Sequence, residues 1–150
     1  MGALIWRRLP MAGPRDLQGI DAAWLAADAT GQVAVFTTGG EGPVPESAVE
    51  SGEESALALP EISGFDLLTH VHRPDDFIAF ARRGLFAYDW SDVHRPYSQV
   101  LGGYELQARP LRLRHLTELP APLQAMAAAT RLPGVLFGIS LVVPVRLAGA

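Results

Sequence analysis

Residues 23–38 read "AWLAADATGQVAVFTT". Two apolar runs flank "DATG", and Gly31 can supply the left-handed residue that closes a short hairpin loop. In the second run Val33, Val35 and Thr37 alternate with Ala34, Phe36 and Thr38, so neither face is strongly polar. A strand of that kind belongs inside a sheet, covered on at least one side. The stretch predicts a hairpin built into the sheet, and the other segments are read as what pairs with it or covers it.

The next segment, "GGEGPVPESAVESGEES" (39–55), holds four glycines, two prolines and five glutamates. It reads as a long acidic loop with room for one helical turn over Glu46–Glu50; loops of this length are usually functional or mobile. Residues 56–71 fit a short helix or a strand equally well. "DDFIAFARRG" (75–84) is a helix: Asp75 suits the N-cap, Asp76 the first turn, and Phe77, Phe80 and Ala81 share a face. Gly84 suits the position after its end. "LFAYDW" (85–90) follows as a strand close against that helix. In "YELQARPLRLRHL" (104–116) the apolar parity flips at Pro110, which predicts an edge strand with a bulge or bend there. Residues 120–131 form a short helix by propensity, and a last strand lies around 141–147. The fold class is α+β: a single domain over residues 1–150, with a mainly antiparallel sheet and two or three helices.

Composition narrows the function classes. The chain has 150 residues, 49% apolar and 19% charged, so one globular domain with a real core is expected. It has no cysteine, which excludes thiol catalysis, disulfides and thiolate metal sites. Only four apolar residues separate Gly2 from Arg7, too few for a secretory signal, and the apolar run 134–145 is too short to span a bilayer. The expectation is a soluble cytoplasmic protein with no membrane partner. All twelve basic residues are arginine. Residues 1–66 carry ten acids against three arginines, whereas residues 67–150 carry six acids against nine. An acidic half repels nucleic acid and favours a basic protein partner.

"THVHRPDD" (69–76) and the second Val-His-Arg-Pro at 93–96 raise the question of a metal site. His70 and His72 share a face if extended, but helix signals claim Asp75 and Asp76, and His94 and His115 stand apart. A metal needs about three ligands converging on one point. Pro74 and Pro96 each push the preceding arginine toward extended geometry. The repeated letters therefore read as two turns, with no metal and no cofactor. There is no nucleophile elbow, phosphate-cradling loop or dinucleotide fingerprint. Tyr88, Asp89, Trp90 and Asp92 end a strand and could line a site; capping at a strand end accounts for the same residues.

Three stretches together carry a resemblance: "IDAAWLAADATGQVAVFTTGGEGPVPESAV" (20–49), "DDFIAFARRGLFAYDW" (75–90) and "YELQARP" (104–110). In order and character they resemble small bacterial immunity proteins of polymorphic-toxin and type VI secretion effector systems. The resemblance implies a cognate inhibitor rather than an enzyme. Its partner would be a cytosol-acting toxin with a basic surface, a nuclease or nucleotide-degrading toxin before a peptidoglycan hydrolase. The residues expected to meet it are Glu41, Glu46, Glu50, Glu53 and Glu54 in the acidic segment, with Tyr88, Asp89, Trp90 and Asp92. Whether Trp90 is core or interface stays open. The rival readings are a small enzyme with a site near His70, His72, Asp89 and Asp92, and an interaction module unrelated to toxins.

The metal question has a direct measurement. Purified protein is expected to carry no stoichiometric zinc, iron or manganese by elemental analysis. About one equivalent per chain, lost on changing His70 and His72 to Ala, would make these histidines ligands.

Overall fold

A computed structural model describes residues 22–48, 52–69, 74–90 and 103–145. The hairpin is present as read. Strands β1 (Ala23–Asp28) and β2 (Val33–Thr37) pair antiparallel, with Ala27 opposite Val33 and Ala23 opposite Thr37. Gly31 closes the turn at φ 87°, and a Cβ there would run into the imidazole of His115. The turn is held from inside by Asp28. Its Oδ1 accepts from Thr30 N (2.9 Å), Thr30 Oγ1 (2.8 Å) and Gln32 N (3.0 Å), and its Oδ2 from Gln32 Nε2 (2.7 Å) and Phe137 N (3.0 Å).

After β2 come helix α1 (Gly52–Leu57), strand β3 (Phe65–Leu67), helix α2 (Asp75–Arg82) and strand β4 (Phe86–Asp89). Then follow β5 (Gly103–Pro110), a 3-10 turn (Leu116–Glu118), α3 (Ala121–Ala128), β6 (Arg131–Leu132) and β7 (Val142–Pro144). The sheet order is β3-β5-β4-β2-β1-β6, with β7 also on β5. Four pairings are antiparallel; β2 with β4 and β1 with β6 are parallel. The domain is thus α+β, with a mixed, mainly antiparallel sheet. No helix among the described residues is long and apolar enough to cross a membrane.

Both faces of the hairpin are covered, which is why its sequence shows no polar side. One face carries small residues, Ala23, Ala27, Ala87 and Ala108, among Leu25, Val33 and Val35; the helices approach here and seat Ala56, Phe77, Phe80, Leu123 and Ala127. The other face carries rings. Trp24 stacks on Phe36 at 4.2 Å, Phe36 on Tyr88 at 5.1 Å, and Tyr104 meets Trp24 edge-on at 5.5 Å. None of the described helices covers this face. Residues 39–48 and 133–141 do, through Val44 and Phe137, while Val143 of β7 joins the rings from the sheet itself.

Helix α2 buries Phe77, Phe80 and Ala81, as its spacing predicts. Its end is closed by Gly84 at φ 85°: Gly84 N donates to Ala81 O (3.0 Å) and Leu85 N to Phe80 O (3.1 Å). That pair of bonds is a Schellman motif, and Leu85 and Phe80 share the core beneath it. The motif sets β4 directly against the helix. Its start differs from the sequence reading: Pro74 holds the N-cap position without a side-chain bond, and Asp75 is already helical.

Two further expectations are corrected and one open alternative is resolved. The acidic segment is not one long loop, because α1 begins at Gly52 within it; the turn at Pro45–Ala48 closes by Ala48 N to Pro45 O (2.9 Å). Residues 56–71 hold both alternatives, the end of α1 and β3. Strand β5 is not an edge. It pairs with β4 on one side and with β3 and β7 on the other. Pro110 is its last residue, and the parity flip is the strand ending. The irregularity lies at Gln107, the extra residue between the pairs Ala87–Ala108 and Tyr88–Leu106. On the outer side of β5, β3 and β7 lie end to end, meeting where Leu68 N donates to Gln107 O and Leu106 N to Leu141 O, both at 2.8 Å.

The Asp28 carboxylate is wholly buried and holds five donors from two distant segments. Asp28→Ala would strand them, and the expected cost is about 3 kcal/mol or more. Urea unfolding measures it; a loss below about 1 kcal/mol would mean the carboxylate is not the anchor described.

Candidate functional site

The residues singled out from sequence fall into separate places. Glu50, Asp92, His70, His72 and His94 lie outside the described residues. Tyr88 is 0% exposed and belongs to the aromatic core. Burial pushes its phenol well above its ordinary pKa of 10.0. The nearby Asp28 carboxylate adds to this, while the Gly138 N–H bond and Arg109 oppose it. Its hydroxyl donates to Ser140 O (2.7 Å) and accepts from Gly138 N (3.1 Å). Tyr88 thus fastens the covering segment and offers nothing to a partner in this conformation.

Asp89 and Trp90 stand at the carboxyl ends of the parallel pair β2 and β4. Asp89 is half-buried and accepts from the Thr37 hydroxyl. Trp90 is half-buried too: its N–H donates to Thr37 O (3.0 Å), and its ring lies 5.4 Å from that of Tyr104. It closes the rim of the aromatic cluster and exposes part of its surface. Among the described residues, no group of three or more His, Asp or Glu side chains could hold a metal ion.

Glu41 and Glu46 are exposed on the segment that covers the aromatic face. This segment is fastened at several points. Thr38 Oγ1 accepts from Ala22 N (3.0 Å) and Gly40 N (3.2 Å), and its carbonyl from Glu41 N (3.1 Å) and Gly42 N (2.8 Å). Tyr104 Oη accepts from Trp24 Nε1 (3.2 Å) and donates to Pro43 O (2.8 Å). Val44 is buried among the rings, and the Ser47 hydroxyl meets that of Thr130 at 2.8 Å. Glu53 and Glu54 lie elsewhere, in the first turn of α1 on the helical face.

No family model matches the chain, and neither does any curated protein or solved structure. The site therefore stands on its geometry.

Two residues that organise this region were not singled out from the sequence as site residues. Asp28 was given no role in the turn, although Asp at the head of "DATGQ" is the expected acceptor of the turn's own N–H groups. Tyr104 gave no sign beyond strand alternation that its hydroxyl would hold Pro43. His115 was read as isolated. It caps the 3-10 turn through Nδ1, which accepts from Thr117 N (3.2 Å), and its Nε2 lies 2.9 Å from Thr30 O at the hairpin tip. With Nδ1 an acceptor, the proton sits on Nε2 and donates to Thr30.

The buried phenol gives a pH test. The folded chain keeps the Tyr88 proton above the pH at which an unfolded tyrosine loses it. This contribution to stability is complete below about pH 10 and is lost as pH rises above that value. Tyr88→Phe is expected to cost about 1–2 kcal/mol at neutral pH. It should also flatten the loss of urea stability above about pH 10; an unchanged alkaline slope would refute the linkage.

Proposed function

We propose that this chain is an immunity-type inhibitor that binds a cationic, cytosol-acting bacterial toxin and blocks its substrate surface. The observation that carries the reading is the fastening of the acidic segment. Glu41 and Glu46 are displayed on backbone held by Thr38, Tyr104 and Val44, so their positions are set before any partner arrives. A preordered surface loses less conformational entropy on binding than a free loop. Exposed carboxylates steer a basic partner and speed its association. Against a nuclease, they would lie where substrate phosphates otherwise bind.

Two of the acids carry this reading. Glu41 and Glu46 share a layer with the rim of Trp90, while Glu53 and Glu54 project from the helical side. The first pair is assigned to the partner, with Trp90 and Asp89 beside it. The charge asymmetry of the chain supports the same polarity, since its first 66 residues hold ten of the sixteen acids.

Co-expression of the chain with any neighbouring gene that proves toxic on its own, followed by a growth assay and pull-down, tests the reading. The wild-type chain is expected to rescue growth and form a complex. Glu41→Gln with Glu46→Gln should slow association about tenfold at low salt and weaken its salt dependence. Cell death despite abundant folded protein, with no complex, would end the immunity reading.

A further inference from the structure

We draw no further inference here: the strongest candidate, the side-chain cluster where Asp89 of β4 stands opposite Glu105 of β5 at the strand ends next to Trp90, is a pair of carboxylates with no second observation pointing to a ligand, and it adjoins the site already described.

Discussion

The carboxylate of Asp28 is the point on which this fold turns. It is wholly buried, and an ion so placed is tolerated only with its lone pairs filled. Thr30 and Gln32 fill them from the hairpin, and Phe137 N from a segment more than a hundred residues downstream. One side chain therefore shapes the turn between β1 and β2 and docks the cover of the aromatic face. A local device, an aspartate satisfying its own turn, doubles as a long-range tether.

The sheet solves the problem of two apolar faces in two ways. Small residues under the helices, such as Ala87 and Ala108, let them approach closely. Rings on the other side fill space that none of the described helices occupies; the hydroxyls of Tyr88 and Tyr104 tie irregular backbone to the core, the second braced by Trp24 Nε1. Covering a sheet with loops leaves carbonyl and N–H groups that need partners. Those rings supply several of them. The cover is accordingly as specified as a helix would be, which suits a surface meant to keep its shape.

Legibility in the sequence followed the range of the interactions. The hairpin and α2 were readable because Gly31, Phe80 and Gly84 act on their own neighbours. The role of β5 was not, because its outer partners come from residues 65–67 and 142–144, and no local pattern announces them. Pro110 looked like the mark of an edge because a strand that simply stops produces the same change of parity. The site divides the same way. Glu41 and Glu46 were expected at the surface from their chemistry and are there. Tyr88 was placed with them, since alternation in "LFAYDW" cannot say which face a distant segment will cover.

The shared outer side of β5 bears on how the protein behaves in a crowded solution. A long, flat outer strand is a template on which another chain can add itself, strand upon strand. Here that border is broken into two three-residue pieces drawn from distant parts of the chain, and the second ends in Pro144, which has no N–H to offer. An incoming strand would have to keep register across the break and past the proline. On this side of the sheet, among the described residues, strand upon strand growth therefore meets a broken template.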